Sequence, residues 1–192
     1  MWTMTCLTST ITGMSAMDEI ERCLYDIAQG NGTLALEKLY KYTKDMIYGY
    51  ALSMLKNTHD AEDVLHDTYI SIYHSASRYS SRGKPMAWII TITRNLCLDK
   101  LRMRSRITDL PEENWEQHLD SSSSISIDDK LMIEFCINSL TSDEREILLL
   151  HVLSGLKHRE ISEMTNRPIA TILSKYHRAL KKLRTLLKEE DR

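Results

Sequence analysis

The 192-residue chain has one Phe, three Pro and six Gly, and its four cysteines, at positions 6, 23, 97 and 136, form no Cys-x-x-Cys pair. Scarce proline and glycine exclude collagen-like and turn-rich sheet architectures, while plentiful Leu, Ile, Met, Lys and Glu favour helices. Scattered cysteines, with no secretory signal at the start, argue against a disulfide scaffold and for a reducing cytoplasmic setting. No apolar run approaches the length of a membrane span, so membrane insertion is not expected. The seven His are also dispersed. His59 with Asp63, and His151 with His158, read as surface or partner contacts rather than metal ligands. No Gly-rich phosphate cradle and no nucleophile at base spacing is present, so neither catalysis nor a cofactor nor a metal is expected.

The formal net charge of −2 is an average over segregated charge. From Arg94 to Arg106 there are five cations and one acid, Asp99. From Lys157 to Arg192 there are ten cations against five acids. Between these stretches, Ile107 to Asp129 carries seven acids, four consecutive serines and no cation. Such a composition cannot fill a core, so 107–129 reads as an acidic, flexible linker with a relaxed span of roughly 25 to 30 Å. Trp115 is its one large aromatic and the residue in it that calls for a partner. The tether could also fold back and shield the basic surfaces on either side.

The all-α fold is legible in the periodicity. Residues 1–16, uncharged and rich in Thr and Ser, read as disordered or as an upstream extension, with Met14 and Met17 as alternative starts. Ile20, Cys23, Leu24 and Ile27 predict a short helix stopped by Gly30-Asn31-Gly32. A longer helix follows from Thr33 to about Lys56, with Leu36, Leu39, Tyr40, Ile47, Tyr50, Ala51 and Met54 inward. Ala61, Val64, Leu65, Thr68, Tyr69 and Ile72 form the apolar stripe of a third helix with Asp60 as its N-cap. Pro85 opens a fourth, packing through Trp88, Ile89, Ile92 and Leu96 and leaving Thr91 and Arg94 available. Four helices make one domain over 17–106.

A second domain, 130–188, begins with a helix suggested by Leu131, Phe135 and Leu140. Thr141-Ser142-Asp143-Glu144 is a capping box for the next helix, which ends near Gly155. Then come a short helix, a polar turn at Thr165 to Arg167, and a long helix opened by Pro168. This is the plan of a helix-turn-helix. On the last helix Ile172, Tyr176, Ala179, Leu183 and Leu187 share one face. Cations neutralise phosphates, and Thr, Ser, Lys and Arg near its start can reach base edges.

AEDVLHDTYISIY followed by KPMAWIITITRNLCLDKLR, and later LTSDEREILLLHVLSGLKHREISEM with PIATILSKYHRALKKL, closely resemble the bacterial sigma factors of the extracytoplasmic-function group. The resemblance covers nearly everything from Met17 to Leu187. It implies two helical domains, a four-helix region 2 core and a helix-turn-helix region 4, that bind core RNA polymerase and promoter DNA, with room for an anti-sigma factor. By the same resemblance, Glu62, Asp63, His66 and Asp67 dock on the polymerase. Arg82, Lys84, Trp88, Arg94, Asn95, Asp99, Lys100 and Arg102 hold the melted minus-ten strand. Arg167, Thr171, Ser174, Lys175, Arg178 and Lys182 read the minus-thirty-five duplex. The chain departs from the pattern at Lys157, where a capping Ser or Thr is common, at Asn166, where Gly is usual, at Leu173, where a cation is common, and at His66 for Gln. Two other readings use the same helices: a stand-alone helix-turn-helix regulator, and an interaction protein that has lost DNA binding.

Overall fold

The computed structural model of the chain describes residues 15–80, 83–106 and 136–190. The expectations for Arg82, Trp115, the 107–129 linker, Leu131 and Phe135 lie outside the described residues, as does most of 1–16.

Every regular element among the described residues is a helix, and none of them is a strand. Helix α1 (Ala16–Ala28) starts on a reciprocal cap: Ser15 Oγ accepts from the Asp18 amide, and Asp18 accepts from the Ser15 amide at 2.9 Å. Its buried face is Ile20, Cys23, Leu24 and Ile27, as the spacing predicts. Gly30, at φ +90°, turns the chain into α2 (Gly32–Leu55). Leu39, Ile47, Tyr50 and Ala51 of α2 are fully buried. Tyr40, expected inward, is exposed, with its ring against Tyr69. The interior of α2 is also more polar than its pattern suggests. The Thr43 hydroxyl bonds the Leu39 carbonyl and the Tyr69 hydroxyl, both at 2.7 Å, and so ties α2 to the next helix.

Helix α3 (Thr58–Ser75) buries all six residues expected of it. Its N-cap is Asn57 rather than Asp60: Asn57 Oδ1 accepts from the Asp60 amide at 2.8 Å. Asp60 sits inside the first turn, where its carboxylate takes Lys100 at 3.3 Å and Arg104 at 3.2 Å from α4 (Pro85–Arg106). The fully buried stripe of α4 is Met86, Ile89, Ile90, Thr93 and Cys97, rotated from the one expected. Trp88, Ile92 and Leu96 are half-buried on its flank. Burial raises the Cys97 thiol to about 12.

In the C-terminal half, residues 136–138 are helical and lead to α5 (Ser142–Ser154), capped by the expected Thr141 and Glu144 box. Gly155, left-handed at φ +66°, ends α5. Helix α6 (His158–Thr165) and α7 (Ile169–Glu190) complete the helix-turn-helix. Asn166 adopts φ +53°, so asparagine supplies the left-handed turn in place of Gly. Lys157 has no acceptor to offer as a cap; instead Glu160 accepts from its backbone amide at 2.6 Å. His151 and His158 are not surface contacts as expected. Their rings stack at 4.7 Å and both lie edge-on to Tyr176 of α7, within the motif. Of the apolar face on α7, Ile172 and Ala179 are buried, while Leu187 is exposed.

The two halves share a core. Ile147, Leu150, Leu156, Ile161 and Ile172 belong to the same buried cluster as the residues of α1–α4. A smaller cluster of Leu140, Leu148 and Ala179 holds α5 to α7. One buried cation crosses the seam. Arg145 of α5, 4% exposed, donates to the carbonyls of Ser53 at 2.9 Å, Ile137 at 3.1 Å and Leu140 at 3.1 Å. Burial lowers its pKa, and no carboxylate among the described residues pairs with it.

Candidate nucleic-acid interface

The outward stripe of α3 follows from its inward one. With Ala61, Val64, Leu65 and Thr68 pointing in, the helical period leaves Glu62, Asp63, His66 and Asp67 exposed together. Among the described residues, Asp63 is the one of the four with a cation on it. Lys100 Nζ lies 2.7 Å away, and that hydrogen bond holds the carboxyl below its usual range. Reciprocally, the bond to Asp63 raises Lys100. The stripe is therefore an acidic surface with a histidine in its midst and one edge partly neutralised.

The residues expected to hold a single strand divide into two groups. Asn95, Asp99 and Arg102 are exposed on α4, with Arg102 and Asp99 bridged at 2.9 Å one turn apart. Trp88 is half-buried and packs edge-on against Tyr79 at 5.3 Å. Lys84, Arg94 and Lys100 are engaged by carboxylates. Arg94 is not available as the periodicity predicts: its side chain is 11% exposed and its Nε lies 2.7 Å from Glu146 of α5. Lys84 Nζ lies 2.6 Å from Glu160 of α6, and Thr91 donates to Met164 Sδ at 3.5 Å. The C-terminal half thus covers one face of α4.

The helix-turn-helix shows a similar division. Ser174 and Arg178 are exposed on α7, joined there by Lys181 and Arg184. Thr171 is half-buried near its start. Arg167, Lys175 and Lys182 are paired with acids of the first turns of α5. Arg167 reaches Asp143 at 3.1 Å and Glu146 at 3.1 Å. Lys175 reaches Asp143 at 2.5 Å, and Lys182 reaches Glu144 at 2.7 Å. The hydrogen bond from Lys175 holds the Asp143 carboxyl low. Burial alone would raise Glu144, but the bonds from Lys182 and Thr141 outweigh it and lower it. Leu173 is exposed, so the position lacking a cation faces solvent.

Sequence reasoning missed the acids of α5. Asp143 and Glu144 fall within the capping box, and Glu146 sits in a charged run, Glu144-Arg145-Glu146. All three of that run are buried, which no local pattern signals.

This arrangement offers an acidic face on α3, a half-covered basic helix and a helix-turn-helix with a partly exposed basic edge. Comparison with known proteins matches both halves. A family model for sigma-70 region 2 matches residues 39–107, and one for sigma-70 region 4 matches residues 130–183. The chain is similar to the ECF RNA polymerase sigma factor SigK of Mycobacterium tuberculosis H37Rv, 25% identical over 165 residues, covering 82% of this chain and 88% of that protein. It is also 25% identical over 191 residues to SigK of Mycobacterium sp. KMS, covering 96% and 98% of the two chains. Among solved structures it resembles the sigma factor RpoE bound to the anti-sigma factor NepR from Bartonella quintana, with a TM-score of 0.63 at 24% identity over 79% of this chain and 96% of that one. It resembles CnrH, bound to the cytosolic domain of CnrY, with a TM-score of 0.57 at 19% identity over 90% and 99%.

Proposed function

Because the chain belongs to the sigma-70 family, in its extracytoplasmic-function group, we infer that it binds core RNA polymerase and directs promoter recognition, strand opening and transcription initiation. The observation that carries this is the ordered occurrence of both regions in one chain, aligned with relatives of the same kind over nearly their whole length. The polymerase would supply the bond-forming chemistry, and this chain the recognition. Such a role would be carried out where the polymerase is, in the cytoplasm.

The residue roles are part of the proposal. Glu62, His66 and Asp67 dock on the polymerase with Asp63; their common exposure on α3 supports this. Residues 17–106 hold the minus-ten strand through Lys84, Trp88, Arg94, Asn95, Asp99, Lys100, Arg102 and Arg82. Residues 130–188 read the minus-thirty-five duplex, with Thr171 and Ser174 reaching bases and Arg167, Lys175, Arg178 and Lys182 neutralising phosphates. The placement of Ser174 and Arg178 on the open edge of α7 supports that division. The linker, residues 107–129, spans the distance between the two elements, which exceeds one duplex turn of roughly 34 to 36 Å. The Bartonella quintana sigma factor RpoE, co-crystallised with the anti-sigma factor NepR, makes such a protein a candidate partner here too.

Core polymerase retained on the immobilised chain, with specific transcripts from a promoter library, is the expected result. A chain that footprints duplex DNA alone and retains no polymerase would instead be a stand-alone regulator.

A further inference from the structure

The surface of α7 changes character along its length. From Arg178 onward it carries exposed cations, Arg178, Lys181 and Arg184, which suit phosphates. Its first two turns are different. Ile169, Ala170 and Leu173 are exposed there beside the exposed Pro168, and Ile169 and Leu173 remain 43% and 38% exposed although both are large and apolar. Among the described residues neither belongs to an apolar cluster, because Ile172, Tyr176 and Ala179 take the inward face of the helix. The polar groups of the same turns are mostly engaged within the protein. Lys175 is paired with Asp143 at 2.5 Å, and the Ser174 hydroxyl donates to the Thr171 carbonyl at 3.0 Å.

In a helix-turn-helix the N-terminal residues of the second helix are the ones that reach base edges. An apolar strip at that place discriminates by what it leaves unsatisfied. Guanine and cytosine line the major groove with hydrogen-bonding groups, which an isoleucine or leucine would desolvate without offering a partner. Thymine adds a methyl group, and a leucine against that methyl removes apolar area from water on both sides. Ile169 and Leu173 lie four residues apart on one face, about 5 to 6 Å between β-carbons, so the strip reaches two neighbouring base pairs stacked about 3.4 Å apart. Resting on the reading of α7 as the helix that meets the minus-thirty-five duplex, we propose that Leu173 and Ile169 are specificity-determining residues that read thymine methyl groups in the major groove. The absence of a cation at 173 is then a change in the base that is read rather than a loss of reading. Ser174 and Thr171 border the strip, and Arg178 holds the phosphates beyond it, so the roles given to them above are kept.

The test removes the methyl without touching the protein. The full chain with core polymerase is offered a promoter library randomised over the upstream element, and the retained sequences give the base preferred at each position. Thymine is expected at one or two neighbouring positions. Each such thymine is then replaced by deoxyuracil, which keeps O4 and the pairing with adenine but lacks the methyl, and the labelled promoter duplexes are titrated with the same complex. Loss of one methyl contact should weaken binding about three- to fivefold. With Leu173→Ala or Ile169→Ala, the thymine and deoxyuracil duplexes should bind nearly equally at the position that each side chain covers. Leu173→Arg should move the preference there to guanine, whose O6 and N7 accept two hydrogen bonds from a guanidinium. Equal binding of thymine and deoxyuracil duplexes by the parent overturns the inference, as does a methyl effect that persists in full in both alanine variants. If Leu173→Ala loses core polymerase while the parent ignores the methyl, the strip is a protein contact and the inference falls. An upstream element selected without thymine refutes the inference alone, whereas a chain that retains no polymerase and selects no sequence refutes the sigma-factor reading on which it rests.

Discussion

Replacing Arg145 by Met removes the one buried cation that joins α5 to α2. In the folded chain its guanidinium donates to three carbonyls, those of Ser53, Ile137 and Leu140, at 2.9 to 3.1 Å. Hydrogen bonds to a charged group contribute about 1.5 to 3 kcal/mol each, and buried acceptors left empty add a penalty. Opposing this, Met fills much of the volume and spares the desolvation of a guanidinium that has no counter-ion. The balance is a loss of about 2 to 4 kcal/mol. With a urea slope of about 2 kcal/mol per molar, the midpoint falls by about 1 to 2 M. Arg145→Lys keeps the charge but cannot present the planar fork to three carbonyls, and should lose most of the same amount. Equilibrium urea unfolding followed by far-ultraviolet circular dichroism measures both. A Lys variant as stable as the parent would show that charge rather than fork geometry matters, and a Met variant as stable as the parent would refute the bonding account altogether.

Four further outcomes follow from particular contacts. Asp67→Lys should weaken core polymerase binding several-fold with helicity unchanged, and Asp63→Lys less cleanly because Lys100 already neutralises Asp63; quantitative pull-down separates them. Replacing Arg178 should weaken duplex binding across sequences and reduce the salt slope by about one unit, while Ser174→Ala should change sequence preference instead; both are read by duplex titration at several salt concentrations. Burial, and then the neighbouring histidines, lower the pKa of His158, so its contribution to stability is present above its unfolded value of about 6.5 and is lost as pH falls through the folded value; His158→Phe should flatten the pH dependence of the thermal midpoint in that window. Gly155→Ala should cost about 1 kcal/mol, because φ is +66° and no neighbouring atom adds a clash; thermal unfolding measures it.

Helical boundaries and the polar faces that carry recognition were legible because capping residues and the 3.6-residue period act locally. Thr141 with Glu144, Gly155, Pro85 and the six-residue stripe of α3 all stand as the periodicity predicts. The misplacements share one cause, since which flank of a helix is most buried depends on what packs against it. The buried stripe of α4 rotated to Met86, Ile90 and Cys97 because α4 meets helices on more than one side, including α5. Asp60 yielded the cap to Asn57 because two cations of α4 draw its carboxylate away. The period of α4 makes Arg94 look accessible because its partner, Glu146, lies 52 residues further along, beyond the reach of any pattern within one helix. Shielding by linker acids was the expectation closest to the observed pairing. Those acids lie outside the described residues, and the carboxylates seen on Lys84, Arg94, Arg167, Lys175 and Lys182 belong to α5 and α6.

The central claim is that the chain makes polymerase start at chosen promoters. Core polymerase is mixed with a library of randomised promoters, with and without the chain, and transcript starts are sequenced. The account predicts starts that depend on the chain and share two sequence elements more than one duplex turn apart, fewer with Asp67→Lys through weakened docking and altered at the upstream element by Ser174→Ala. Start sites that are the same with and without the chain would contradict it.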